Sequence, residues 1–106
     1  MQMYEYQLEA VKTRNDSADL LYLTGKLANE GSEASQHMLK HVYHHAPLDR
    51  DYLLKEAGDA LWYIANIADM LGVTLESIAD ANIAKLRQRH GESYNPAHYA
   101  TPTLFE

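Results

Sequence analysis

The feature that most limits the possible folds is a helical spacing of apolar residues, which runs through most of the 106-residue chain. Residues 3–14, 19–43, 50–71 and 75–90 each place apolar side chains three and four positions apart, which predicts amphipathic helices. No long stretch alternates apolar and polar residues, and no Asn-Gly or Asp-Gly pair indicates a hairpin turn. The sequence therefore predicts an all-α fold resembling a four-helix bundle with short connections.

Local signals indicate where these helices begin and end. Pro47 interrupts the second helix, because proline disfavours helical backbone at the residue before it. Asp49 is placed to cap the start of the third helix with its side chain. Gly72 is placed to end the third helix and Gly91 the fourth, since glycine tolerates the left-handed backbone common after a helix.

Composition narrows the class of protein. The chain carries 9 Lys and Arg against 15 Asp and Glu, a formal net charge of −6, which argues against a nucleic-acid partner. It has no cysteine, no apolar run long enough to cross a membrane and no signal-peptide pattern. We expect a cytoplasmic protein without a membrane partner, with a single all-α domain over residues 1–91 and an extended C-terminal tail over residues 92–106.

Two pairs of acidic residues lie beside the apolar faces of the two longest predicted helices. Glu30 and Glu33 are three residues apart on the second helix, and Glu56 and Asp59 are three apart on the third. Like charges one turn apart repel, so facing pairs on antiparallel helices favour a bound cation. Four carboxylates without cysteine suit Mg²⁺, with Mn²⁺ as a substitute, better than zinc. Ordinary solvated helix charges are the alternative.

Further polar residues share faces with candidate ligand-binding positions. Tyr63 follows Asp59 by one turn on the same stripe of the third helix, where it can pack on a sugar or base or serve as an ordinary bundle tyrosine. Asn82, Lys85 and Arg89 form a stripe on the fourth helix that can hold phosphate oxygens. The alternative is that basic residues are simply favoured near a helix C-terminus.

Four segments together resemble the MazG-like branch of the all-α nucleoside triphosphate pyrophosphohydrolases. Tyr6-Gln7, with Ala10 and Thr13, is similar to the family's opening motif. The other three segments carry the acidic pairs and the basic stripe; they are LANEGSEA at 27–34, LKEAGDALWY at 54–63 and ANIAKLRQR at 81–89. Their order and spacing agree with the family over nearly the whole chain.

The resemblance implies hydrolysis of a nucleoside triphosphate, (d)NTP, by water to the monophosphate, (d)NMP, and pyrophosphate. It also implies roles for residues at the matching positions. The four acids Glu30, Glu33, Glu56 and Asp59 would form the catalytic Mg²⁺ site, with Glu33 or Glu56 taking the proton of the attacking water. Lys85 and Arg89 would contact phosphates, and Asn82 would support the substrate end of the site. Tyr63 would pack on the sugar or base, and Lys40 and His41 would be further phosphate contacts.

Other interpretations are compatible with the same residues. One is a non-catalytic all-α oligomer that binds nucleotides or regulates another protein. Another is a transition-metal site on His37 and His41, although the chain has no His-Glu-x-x-His motif. The resemblance also implies a homodimer or a dimer of dimers, and Trp62, placed beside small residues, indicates a helix contact either within the bundle or between subunits.

Overall fold

The computed structural model of the chain describes residues 1–91, which are almost entirely helical. Four helices follow in order, α1 (Met3–Lys12), α2 (Leu20–Tyr43), α3 (Arg50–Met70) and α4 (Leu75–His90). The described residues contain no strand, so the predicted all-α fold is confirmed. The predicted tail, residues 92–106, lies outside the described residues, and the division into one domain and a tail stays a prediction.

The helix ends follow from local chemistry. The Asp49 carboxylate accepts a hydrogen bond of 3.0 Å from the backbone N–H of Tyr52, which confirms the predicted cap of α3. Gly72 and Gly91 have φ values of 74° and 71°, the left-handed conformation expected of glycine after a helix. Helix α2 ends before Pro47, because His45 already adopts a left-handed φ of 58°.

Helix α1 packs on α3 through a small apolar core. Ala10, Ala65, Ala68 and Leu75 are buried there, with Trp62 packed against them. The indole N–H of Trp62 also donates a hydrogen bond of 2.8 Å to the Thr13 hydroxyl, at the C-terminal end of α1. The contact made by Trp62 therefore lies within the chain, one of the two possibilities that the sequence left open.

A buried glutamine joins α1 to the start of α4. The Gln7 side-chain amide donates to the Val73 carbonyl at 2.9 Å, and its oxygen accepts from the Leu75 backbone N–H at 2.8 Å. Two backbone groups beside a helix start are thereby satisfied by one side chain. In the opening motif, Gln7, Ala10 and Thr13 consequently have structural contacts rather than contacts with the acidic residues.

Helical spacing predicts an apolar stripe on α3, and part of this apolar stripe is not covered by other described residues; its members are Leu54, Ala57, Leu61, Ile64, Ala68 and Leu71. Ala68 is buried, but Leu54 and Leu71 are 52% and 60% exposed. The reason is that α3 uses a neighbouring face against α1, where Ala65 and Asn66 are fully buried. A helix face that is apolar in sequence therefore remains open to a partner in the structure.

Residues Met1–Leu75 form one compact unit, and the remaining residues of α4 belong to a second. Within the second unit α4 is a regular helix whose last turn carries basic residues, as favoured at a helix C-terminus. Among the described residues, no helix is long and apolar enough to cross a membrane.

Candidate active site

Three of the four predicted acids meet where α2 packs on α3. Glu30 and Glu33 come from α2 and Glu56 from α3, and one oxygen of each lies within 4.8 Å of the others. We call this group the carboxylate cluster. Its geometry follows from the sequence, because a short connection makes the two helices antiparallel and acids one turn apart share a face.

The carboxylate cluster is buried more deeply than charged side chains usually are. Glu30 is 9% exposed and Glu56 8%, while Glu33 is half-buried. Burial of unpaired acids is unfavourable, since carboxylates lose their hydration without gaining a positive partner. One oxygen of Glu30 and one of Glu56 are buried without a hydrogen-bond partner. The cluster therefore has free ligand atoms for a positive group.

The pKa of Glu56 reflects this crowding. A hydrogen bond to Glu30 is the largest cause that raises the pKa of Glu56, followed by burial. The charges of Glu30 and Asp59 also raise it, whereas a hydrogen bond to Glu33 lowers it. These causes arise because acids of like charge are crowded together at a buried position, and a bound cation would relieve that crowding. This all-oxygen donor set fits a hard divalent cation.

Asp59 stands outside the carboxylate cluster. It lies one turn after Glu56 on α3, as predicted, but it is exposed and is not among the acids that meet within 4.8 Å. Its charge nevertheless raises the pKa of Glu56. Together with Trp62 and Tyr63, it lines a cleft of about 350 Å³. The structure thus brings three of the four predicted metal ligands together, whereas Asp59 lies outside the carboxylate cluster.

A tyrosine that the sequence analysis missed lies at one end of the carboxylate cluster. Burial and then the charges of the three cluster acids raise the pKa of Tyr52, and a hydrogen bond to Glu56 adds to this shift. The Tyr52 ring contacts the His37 ring, with centroids 5.1 Å apart. Tyr52 precedes Glu56 by four residues, so it lies on the same helix face as Glu56, Asp59 and Tyr63. Extending that face by one turn toward the start of α3 would have identified it.

The other end of the carboxylate cluster is also aromatic. Burial, then the nearby Tyr22 hydroxyl and the charges of three acids, raise the pKa of Tyr63. The Lys26 ammonium lies 5.8 Å from the centroid of the Tyr22 ring, close enough for a cation–π contact. Tyr63, predicted to contact substrate, therefore lies near the acids and beside a second aromatic ring.

Helix α4 carries the predicted phosphate contacts on one of its faces. Asn82, Lys85 and Arg89 follow at intervals of three and four residues within Leu75–His90, so they share a stripe. Asn82 and Lys85 are exposed and Arg89 is half-buried. The stripe is available for ligands at its first two positions.

The histidines on α2 serve the connection between α2 and α3. His37 accepts a hydrogen bond of 3.0 Å from the Asp49 backbone N–H, and His41 donates one of 2.8 Å to the Ala46 carbonyl. Within residues 1–91, no histidine belongs to a group of three or more side chains that could hold a metal. A structural role for His37 and His41 explains them without a transition metal.

Comparison with known proteins identifies a family for most of the chain. The model of the MazG nucleotide pyrophosphohydrolase domain matches residues 10–93, which include every predicted site residue. The Gene 37 protein of Mycobacterium phage L5 is 42% identical over 41 residues, covering 39% of this chain and 36% of that protein. The matched stretch thus spans about a third of the relative's length, and no solved structure matches the chain. Because the domain match covers most of the chain, the protein belongs to the family of the MazG nucleotide pyrophosphohydrolase domain.

Proposed function

We propose that the protein is a Mg²⁺-dependent pyrophosphohydrolase that converts a (d)NTP and water to a (d)NMP and pyrophosphate. The observation that carries this proposal is the carboxylate cluster, with two buried acids that each keep one oxygen without a partner. In a chain of this family, such a cluster is best explained as a metal site of the enzyme rather than as a charged surface.

Glu30, Glu33 and Glu56 would hold the metal, and Asp59 would be the fourth ligand that the family resemblance implies. All four provide carboxylate oxygens, which suits Mg²⁺ and allows Mn²⁺ in its place. When bound, a divalent cation offsets the charge of the polyphosphate and lowers the pKa of a coordinated water.

The side chains of the protein would do the remaining work. Lys85 and Arg89 would bind phosphate oxygens and stabilise the charge that develops as pyrophosphate leaves. Asn82 would support the substrate, and Tyr63 would pack on its sugar or base. The attacking water would transfer its proton to an acid of the cluster, either Glu33 or Glu56.

The test is pyrophosphate release from a panel of dNTPs and NTPs, with and without Mg²⁺. We expect release from at least one nucleotide, with equal amounts of monophosphate formed, and no release in EDTA. Binding of nucleotide and metal without release from any member of the panel would overturn the enzyme proposal. That result would favour a non-catalytic nucleotide-binding protein.

Single substitutions test the proposed ligands. We expect Glu33→Gln and Asp59→Asn each to reduce turnover by more than about 100-fold, above the 10–100-fold range typical of residues that only orient metal ligands. Asp51→Asn is the matched control, because the Asp51 side chain lies on the same helix and is 96% exposed. Circular dichroism should show unchanged helix content in all three variants. If Asp59→Asn turns over nucleotide as fast as the native protein does, Asp59 is not a metal ligand.

A further inference from the structure

His37 links α2 to the first turn of α3, next to the carboxylate cluster. Its Nε2 atom accepts a hydrogen bond of 3.0 Å from the backbone N–H of Asp49, the cap residue of α3. Its ring contacts the Tyr52 ring, with centroids 5.1 Å apart. Glu33, His37 and Tyr52 line one cleft, so this link lies directly beside an acid of the cluster.

The two helices carry the link and the acids with the same spacing. On α2, His37 follows Glu30 by seven residues. On α3, Glu56 follows Asp49 by seven residues. Seven residues are two helical turns, or about 10 Å along each axis. Because the helices are antiparallel, the hydrogen bond between His37 and Asp49 at one end sets Glu56 opposite the α2 acids at the other. This hydrogen bond and the carboxylate cluster therefore require the same register between α2 and α3.

The carboxylate cluster tolerates little change in this register. Its three ligand atoms lie within 4.8 Å of one another. Sliding α3 along α2 by one turn would move Glu56 by about 5.4 Å, which is more than that separation. The bond from the Asp49 backbone to His37 opposes such sliding, since the N–H would lose its acceptor. His37 is thus placed to keep Glu56 beside the acids of α2.

Tyr52 extends the same link toward Glu56. It lies in the first turn of α3, where its backbone N–H donates to the Asp49 carboxylate at 3.0 Å. Its side chain forms a hydrogen bond with Glu56, and its ring lies against His37. The turn that His37 holds therefore contains a residue that contacts a proposed metal ligand.

We propose, resting on the metal site of the proposed function, that His37 is a positioning residue. By accepting from Asp49, it fixes the register of α2 and α3 and thereby sets the affinity of the carboxylate cluster for a divalent cation. His37 acts through the acids and not as a ligand, because the group of described residues that could hold a metal consists of Glu30, Glu33 and Glu56.

Two substitutions separate the acceptor of His37 from its ring. His37→Gln retains an acceptor, because the glutamine oxygen is as many bonds from the backbone as Nε2 is. His37→Phe retains a ring against Tyr52 but has no acceptor. Mn²⁺ binding would be measured by isothermal titration calorimetry without nucleotide. We expect His37→Phe to weaken Mn²⁺ binding by about tenfold or more, the usual effect of losing a group that orients metal ligands, and His37→Gln to bind with near-native affinity.

A capping residue provides the control for stability. The Asp19 carboxylate accepts a hydrogen bond of 2.8 Å from the Tyr22 backbone N–H, at the end of α2 away from His37. Asp19→Ala should therefore lower the Tm, because it removes a helix cap, and keep the native affinity for Mn²⁺. His37→Asn is a second variant without the acceptor, since its oxygen is one bond too short to replace Nε2. It should weaken Mn²⁺ binding even if His37→Phe does not fold.

Several results would contradict this role. It is wrong if His37→Phe or His37→Asn folds and binds Mn²⁺ as tightly as the native protein does. Equal losses of affinity in His37→Gln and His37→Phe would show that the ring, and not the hydrogen bond, matters. An equal loss in Asp19→Ala would show that lower stability alone explains the effect. A native protein that binds no Mn²⁺ would overturn the inference as well.

Calorimetry also separates this inference from the proposed function, because Mn²⁺ binding is measured without turnover. Weaker Mn²⁺ binding by His37→Phe, without hydrolysis of any nucleotide by the native protein, would overturn the proposed function and retain the role of His37. Hydrolysis by the native protein, together with equal Mn²⁺ affinity in both proteins, would retain the function and overturn the role of His37.

Discussion

At the residue scale, Glu56 gives the carboxylate cluster a dependence on pH. Its pKa is raised above the ordinary value of 4.5. An acid whose pKa is raised by folding contributes stability below its ordinary pKa, and this contribution is lost as the pH rises through the higher folded value. The metal-free protein should therefore lose stability as Glu56 ionises, and bound metal should restore it.

The substitution Glu56→Gln tests this relation. Because glutamine cannot ionise, we expect Glu56→Gln to have a higher Tm than the native protein in EDTA at neutral pH. The difference in Tm between the two proteins should be smaller at about pH 4.5. Adding Mg²⁺ should raise the Tm of the native protein, and it should raise the Tm of Glu56→Gln by a much smaller amount. Glu5→Gln, an exposed acid in the first turn of α1, is the control and should keep the native metal response. A lower Tm for Glu56→Gln in EDTA at neutral pH would contradict the expectation.

Tyr52 should orient Glu56 through its hydroxyl. We expect Tyr52→Phe to weaken Mn²⁺ binding by about 10–100-fold, the usual effect of removing a group that orients a metal ligand. Isothermal titration calorimetry measures this affinity. Tyr43→Phe removes a hydroxyl from an exposed tyrosine at the end of α2 and should bind Mn²⁺ normally. Native affinity in Tyr52→Phe would show that Glu56 does not need this hydrogen bond.

The sequence could predict the acids of the site but not how closely they approach. Helical spacing places Glu30 with Glu33, and Glu56 with Asp59, because both pairs are one turn apart. How far each helix slides along its partner depends on packing between them, and this decides that Glu56 meets the α2 acids while Asp59 remains exposed. Such information is not contained in the periodicity of either helix.

At the element scale, the boundaries were the most predictable part of the fold. Asp49, Gly72 and Gly91 act within one or two turns of chain, so their effects can be inferred from neighbouring residues alone. The role of Gln7 could not be inferred in this way. Its partners, Val73 and Leu75, are 66 and 68 residues away in sequence.

Gln7 should make a measurable contribution to the stability of this part of the fold. We expect Gln7→Ala to lower the free energy of unfolding by about 1–3 kcal/mol, because it leaves the buried Leu75 N–H and the partly buried Val73 carbonyl without their side-chain partner. For a domain of this size, each kcal/mol corresponds to roughly 4–8 °C in Tm. Chemical denaturation and thermal melting would both measure the change.

A neighbouring glutamine is the control for this substitution. Gln2 is exposed, and as the cap residue of α1 it makes no side-chain capping hydrogen bond. Gln2→Ala should therefore leave the Tm nearly unchanged. Similar melting of Gln2→Ala and Gln7→Ala would show that the bridge to the start of α4 contributes little.

At the scale of the whole molecule, burial of apolar side chains is sparse in the described residues. The buried apolar side chains are few and mostly small, whereas Leu54, Leu71 and other large apolar residues are exposed. Small domains bury a limited fraction of their surface, and an interface with a second copy adds to it. We therefore propose that the open part of the apolar stripe on α3 contacts a second copy of the chain, in the homodimer or dimer of dimers that the family resemblance implies.

Sedimentation velocity tests this proposal. We expect the native protein to sediment as a dimer or tetramer at micromolar concentration, and Leu54→Glu to shift it toward the monomer, because a buried charge would oppose association. Lys55→Glu changes the charge of the adjacent exposed residue without removing apolar surface, so it should retain the native size. A monomeric native protein would refute the oligomer, whereas an oligomer unaffected by Leu54→Glu would place its interface on a surface other than the α3 stripe.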